Sequence, residues 1–341
     1  MTGIRYGNCF LSTSAAISVI KREKPDIVHL QCLNEHFVNV YRLVAWLRKH
    51  GVKTVLTLHA EFMYTANCGH AFDCSGWKNG CGNCPRLYEA TKSLFFDRTH
   101  ASFERMKRAF SGFDKDLRVV SVSPWLDGRR SASPILGGMP GAVILNGVDT
   151  GVFRFREHEE LAKKHGAEGK KIVLHVTAMF RNKFGDPKGG QYVVRLAEMM
   201  KDDPVLFLVA GKHEKCEGLP GNILLLGNIG DQELLARYYS MADVTLLTSR
   251  RETYSMVCAE SLCCGTPIVG FKAGGPEQIS LPQFSRFVDY GDMDGLRDAV
   301  SEQIGIKFGK IDIAKDAAAV YSAEYMIESY IQAYREMLCK D

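Results

Sequence analysis

Glu252 and Glu260 stand eight positions apart in "SRRETYSMVCAESLCCGTPIVG", residues 249–270, with seven mostly apolar or small residues between them. A segment of this kind is bound for an interior, where a carboxylate needs a partner. The preceding run "ADVTLLTS" is rich in leucine and β-branched residues and reads as a buried strand. "SMVCAESLCCG" has no internal glycine or proline. It reads as a helix with Ser255 as N-cap, Gly265 at C′ and Pro267 as the stop. "PIVGF" is the next strand. Glu252 then falls in the loop at the carboxyl end of the first strand, and Glu260 more than one turn into the helix. Open parallel α/β sheets bind ligands at that edge, and a helix opening at Ser255 offers N–H groups to an anion. Carboxylates for hydroxyls, beside N–H groups for phosphate, suit a nucleotide sugar.

Cys68, Cys74, Cys81 and Cys84 form a second pattern, with five, six and two residues between them. Four thiols that include one C-x2-C pair suit a structural tetrahedral zinc ion. A zinc ribbon has two such pairs, so a loop of reduced cysteines or an adventitious disulfide stays open as the other reading. Asp292 and Asp294, in "DMD", open a helical stretch and read as N-capping groups rather than metal ligands. The sequence has no P-loop and no G-x-G-x-x-G, which leaves an NTPase or a nicotinamide enzyme without support.

The elements that must carry these residues alternate as strand and helix in two blocks. In the first, "DIVHLQ", "KTVLTLH", "RVVSVS" and "AVIL" read as strands. A helix lies at "VNVYRLVAWLRKH", and a long amphipathic stretch runs through "ATKSLFFDRTHASFERMKRAF". In the second, "KIVLHVTA", "VLFLVAG", "NILLLG", "DVTLLTS", "PIVGF" and "SRFVDY" are strands. The polar, glycine-bearing "NGVDTGVFRF" between the blocks is the linker. The expected architecture is α/β, two Rossmann-like doubly wound domains with a cleft between them. Residues 1–147 form the first domain, residues 148–321 the second, and residues 322–341 a final helix that packs back toward the first. The first domain looks abbreviated, because its opening lacks the usual strand and glycine-rich turn.

The 341 residues carry a net charge of +4. Residues 1–150 hold 19 basic and 12 acidic side chains, and the remainder 24 and 27. A basic first half facing an acidic second half points to an anionic partner for the first, such as a lipid surface or a phosphate-bearing acceptor. No apolar run approaches a membrane span, no signal peptide is visible, and eleven irregularly spaced cysteines fit a reducing cytoplasm.

"RRETYSMVCAESLCCGTPIVG" followed by "GGPEQI" resembles the E-x7-E donor-site signature of retaining GT-B glycosyltransferases of family four. "YYSMADVTLLTS" and "NGVDTGVF" add to the likeness. "PDIVHLQ", "TLHAEFMYTANC", "WKNGCGNCP" and "SLFFDRT" resemble the colanic-acid-like, polysaccharide-assembly branch. The resemblance implies a hexosyltransferase that needs no cofactor. Its partners would be a nucleotide-sugar donor and a lipid-linked or oligosaccharide acceptor, with no nucleic acid, and it would sit in the cytoplasm or peripherally at the inner face of the membrane. It assigns Glu260 to the ribose hydroxyls and Glu252 to the transferred sugar. The backbone of Thr253, Tyr254, Ser255 and Met256 is assigned to phosphate. Lys188 of "PKGG" and Arg181 would neutralise the departing diphosphate, although the insertion-like "NKFGD" leaves Lys183 competing with Arg181. His59 would reach the donor sugar. Members commonly follow this His with Asp, where the present chain has Ala60 and Glu61. The alternative reading is a nucleotide-sugar-binding protein of poor catalytic power.

Overall fold

The computed structural model describes residue 4, residues 6–33 and residues 37–339. The chain divides into two compact units, Met1–Leu145 together with Glu328–Asp341, and Asn146–Ile327.

The first unit is built on a four-stranded parallel sheet. Its strands β1 (Val28–Gln31), β2 (Thr54–Leu58), β3 (Leu117–Ser121) and β4 (Gly141–Val143) lie side by side in chain order. Every residue of β2 is buried, as expected of a parallel strand paired on both sides and covered by helices. The helix Val40–Lys49 buries Val40, Leu43, Val44 and Leu47, the spacing of one helical face, and Asn39 caps it by accepting from the Arg42 N–H at 3.0 Å. The end of the chain returns to this sheet. His29 on β1 bonds Tyr334 through Nδ1 (2.7 Å) and Thr57 through Nε2 (2.8 Å), and Thr57 bonds Tyr330 (2.9 Å). Arg118 on β3 pairs with Glu336 at 2.6 Å.

The long amphipathic stretch of the sequence is not one helix. It forms Leu87–Thr91 and Thr99–Phe110, with residues 92–98 in neither. Lys92 stops the first helix in the left-handed region at φ 58. Asp97 accepts from the Thr99 N–H at 2.8 Å and the Cys84 N–H at 2.6 Å. These bonds, one local and one from Cys84, outcompete helix continuation through Leu94, Phe95 and Phe96.

The second unit carries six parallel strands: β5 (Lys171–Phe180), β6 (Val205–His213), β7 (Ile223–Gly227), β8 (Val244–Leu247), β9 (Ile268–Phe271) and β10 (Ser285–Val288). Their spatial order is β10-β9-β8-β5-β6-β7. The chain therefore winds outward from β5 in one direction, then restarts on its other side at β8. The carboxyl ends of β5 and β8 flank this switch point, where the loops part and leave a crevice. The core beneath is closed by Val173, Phe207, Val244, Leu246, Val269 and Phe271 together with Leu196 and Leu296 from helices. A strap from Val148, which donates to the Tyr321 carbonyl at 2.7 Å and accepts from the Ala323 N–H at 2.9 Å, ties the start of the unit to its end. Among the described residues, no helix is long and apolar enough to cross a membrane.

Candidate functional site in the second unit

A cavity opens at the β5/β8 switch point. His175, Lys188, Thr248, Glu252 and Ser255 line it, with Ala273 and Pro276 from the loop after β9. The turn that delivers Lys188 depends on glycine. Gly189 has φ +73, and a Cβ there would overlap the Thr248 carbonyl at the end of β8. The Thr248 hydroxyl donates to the Lys188 carbonyl at 3.0 Å. Held this way, Lys188 Nζ meets Glu252 Oε1 at 2.7 Å, with both side chains partly exposed to the cavity.

Glu252 is itself pinned by backbone. Its N–H donates to the Ala273 carbonyl at 3.1 Å, and its carbonyl accepts from the Gly275 N–H at 2.9 Å. The Glu277 carboxylate accepts from the N–H groups of Ala273 and Gly274, which fixes the "GGPEQI" loop. Gly275 approaches Thr253 so closely that any Cβ would meet the Thr253 carbonyl. Ser255 then caps the helix Met256–Cys263, its Oγ accepting from the Cys258 N–H at 3.3 Å. It does so at φ 91, an unusual conformation for a residue with a side chain and one costing on the order of 1–3 kcal/mol. The strained cap turns the chain so that the helix opens toward the cavity, which Val257 also lines. Tyr254 is buried and donates to the Asn146 carbonyl at 2.8 Å. Met256 is partly exposed at the first helical position.

Glu260 is not a cavity-lining residue. It lies along the same helix, with its carboxyl pushed upward by burial, while Tyr239 donates to it at 3.1 Å and opposes that shift. Arg181 does not line the cavity either. It follows the end of β5, and its guanidinium pairs with Glu214 at 2.6 Å and reaches Asp186 at 3.7 Å. Lys183 is exposed in the same insertion. The structure thus gathers Lys188, Glu252 and Ser255 at one cavity and leaves Arg181 and Glu260 beside it.

His175 is the cavity residue that motif reading passed over. It is 4 % exposed, its Nδ1 bonds the Leu246 carbonyl at 3.0 Å, and its Nε2 has no hydrogen-bond partner among the described residues. Burial pulls its pKa down to about 4, and Lys188 pushes the same way. The imidazole is therefore neutral, with the proton on Nδ1 and a lone pair on Nε2. Its sequence signal is a lone imidazole in the middle of the apolar strand "KIVLHVTA".

In the first unit, His59 follows β2 and lines a small, mostly apolar cavity with Cys32, Leu33, Phe62 and Met63. Its Nε2 lies 3.1 Å from Gln31 Oε1, and burial lowers its pKa. Glu61 faces the protein interior instead. It is fully buried and accepts from the Tyr64 hydroxyl (2.7 Å), the Ala71 N–H (2.7 Å) and Arg129 (2.6 Å). The Arg129 guanidinium in turn lies 5.0 Å from the Trp77 ring centroid and 4.9 Å from that of Trp125. This network anchors the cysteine-rich loop.

Cys68, Cys74, Cys81 and Cys84 all line one cavity of that loop. Burial first, and the neighbouring thiols second, push Cys68 and Cys81 up to about 12. All four cysteines are free, so the disulfide reading is not met. Among the described residues, no group of three His, Cys, Asp or Glu side chains stands ready to hold a metal ion. The Cys81 thiol donates to the Thr65 carbonyl at 3.7 Å.

Residues 157–303 match the family described as glycosyl transferases group 1. Over 331 residues the chain is 23% identical to an Escherichia coli K12 protein carrying the name of a colanic acid biosynthesis glycosyl transferase, WcaC. That match covers 94% of this chain and 78% of WcaC. Among solved structures, sucrose-phosphate synthase from Thermosynechococcus elongatus superposes with a TM-score of 0.69 at 19% identity, covering 96% of this chain and 78% of the synthase. Anabaena HepE, solved in complex with UDP, superposes at 0.64 with 14% identity, covering 95% and 82%. The family match falls on the unit that holds the Lys188–Glu252 cavity, and the structural matches span both sheets. Residues 157–303, inside the unit that holds the cavity, thus carry a glycosyl transferases group 1 region, and the chain has the GT-B fold.

Proposed function

We propose that the protein moves a sugar, with retention, from a nucleotide-sugar donor to a lipid-linked or oligosaccharide acceptor during assembly of a surface polysaccharide. The observation that carries this reading is the Lys188–Glu252 pair at 2.7 Å, set beside a helix N-terminus at the switch point of a parallel sheet. A cation, a carboxylate and backbone N–H groups converge on one small volume. They suit, in turn, a diphosphate, a sugar hydroxyl and a phosphate oxygen. HepE's complex with UDP supports the donor class, and the name of WcaC supports the polysaccharide setting.

In this reading Lys188 exchanges Glu252 for the diphosphate when the donor binds, which frees Glu252 to accept from the sugar. The bond from the anomeric carbon to the diphosphate oxygen breaks. The acceptor oxygen bonds to that carbon on the same face, and its proton passes to the departing diphosphate. The protein stabilises the charge that grows on the leaving group, through Lys188 and the helix opening at Ser255. Glu260 serves the ribose, and Arg181 adds charge for the departing diphosphate. A screen of common nucleotide sugars for donor hydrolysis, repeated with a lipid-diphosphate oligosaccharide acceptor, tests it. Release of one nucleoside diphosphate with transfer of its sugar is expected. Turnover of none of the donors would overturn the reading.

A further inference from the structure

Residues 93–96 form a tight turn whose tip is apolar. The Phe96 N–H donates to Ser93 Oγ at 3.1 Å, and the Ser93 N–H donates to Thr91 Oγ1 at 3.2 Å. Ser93 and Thr91 are buried, whereas Leu94, Phe95 and Phe96 are 70%, 86% and 63% exposed. Turn tips are ordinarily polar or glycine-bearing. Here three large apolar side chains in succession face water from a turn tethered on both sides. The far tether is Asp97, which accepts from Cys84 and from Thr99.

The charges around this tip are sorted. Lys92 and Arg98 flank it, and both are exposed. Of the nearby acids, Asp97 is bound by the loop's own donors, and Glu89 pairs with Arg86 at 2.6 Å. Tyr88, one turn earlier, is 55% exposed with Lys92 Nζ 5.0 Å from its ring centroid. An apolar tip, an amphipathic aromatic and two cations in one short segment match the layers of a bilayer surface: acyl chains, interface and anionic headgroups. Three consecutive apolar side chains make too small a patch for a stable protein interface of roughly 1,000 Å² or more. Insertion into a fluid bilayer needs no complementary shape.

We infer that the turn at residues 93–96 is a membrane wedge, which seats the first unit on an anionic lipid surface by inserting Leu94, Phe95 and Phe96 while Lys92 and Arg98 meet the headgroups. This does not rest on the sugar-transfer reading, since vesicle binding requires neither donor nor acceptor.

The test is cosedimentation of the full chain with phosphatidylcholine vesicles, with and without phosphatidylglycerol. Binding is expected to the mixed vesicles and to weaken with salt. Phe95→Ser with Phe96→Ser should lower the partition coefficient at least ~10-fold, and Lys92→Gln roughly fivefold. Both variants should keep the parent's melting temperature, because the altered side chains are exposed. Failure of the parent chain to bind anionic vesicles overturns the inference, as does undiminished binding by the double variant. A concentration-dependent dimer abolished by the double variant, without lipid binding, would assign the tip to a second copy and overturn it equally.

Discussion

Lys188 and Glu252 pair at 2.7 Å in the cavity, and on the proposed reading a donor would part them, so removing either should separate binding from turnover. On the proposed reading, Lys188→Ala is expected to lower the rate of sugar transfer by ~10- to 100-fold, with a smaller loss of donor affinity, because the charge it would meet grows as the diphosphate leaves. Steady-state kinetics beside calorimetry of the nucleoside diphosphate check this. Equal losses in both would make Lys188 a ground-state contact. Glu260→Ala should weaken donor binding by about 1–3 kcal/mol if the ribose hydroxyls lose a charged acceptor. The residue scale also gives a pH effect. His175 titrates near 4 in the fold, below the ordinary 6.5, because it is buried. Between these values the unfolded chain takes up a proton that the folded chain refuses. The stabilisation is therefore whole above about pH 6.5 and is lost as pH falls through the window to about 4, up to about 3 kcal/mol. Urea unfolding at both ends of this window should show a steeper loss in the parent chain than in His175→Asn. Parallel losses would refute the assignment.

The elements explain which parts of the site could be read from sequence. Strand β8, the helix Met256–Cys263 and strand β9 follow directly from the β-branched run, the Ser255 cap, Gly265 and Pro267, because each signal is local. Lys188 was legible through the "KGG" turn beside it. Arg181 was less so, because the insertion "NKFGD" hides where its side chain turns, and Glu214 from β6 and its loop decides that. The break in the amphipathic stretch was invisible for a similar reason. Apolar spacing continues across residues 92–98, whereas the bonds that end the helix come from Asp97 and from Cys84, thirteen residues away from it. The cysteine spacing suggested a zinc site or a loop of reduced thiols, whereas the cavity that all four line is set by how the loop folds around them. Glycine provides the test at this scale. Gly189→Ala should cost about 1–3 kcal/mol, from its positive φ and the clash with Thr248, and should lower transfer by displacing Lys188. Gly185→Ala shares the positive φ at +80 but has no atom within 4 Å of the new Cβ. It should show the backbone cost alone, with transfer retained. Similar activity in the two variants would sink the claim that the turn positions Lys188.

At the scale of the whole molecule, the division of the chain does not follow its order. Residues 328–341 belong to the unit built from the first 145 residues, so the final helix starts in one unit and finishes in the other. Sequence could mark a last helix with Tyr330 and Tyr334 on one face, but their partners, His29 and Thr57, lie some three hundred residues earlier. Two perturbations should therefore act on different units. A nucleoside diphosphate such as UDP should slow amide exchange around the Lys188 turn and the helix Met256–Cys263, because only the second unit holds that cavity. Tyr334→Phe should leave His29 Nδ1 without its hydroxyl partner, at a cost of about 1–2 kcal/mol. Its effect should appear as faster exchange in β1, β2 and the last turns of the final helix. Exchange mass spectrometry on the full chain reads both in one experiment. If Tyr334→Phe loosened the strands around the Lys188 cavity as much as β1 and β2, the two units would be one cooperative body, and the final helix would stabilise the donor site rather than the first sheet.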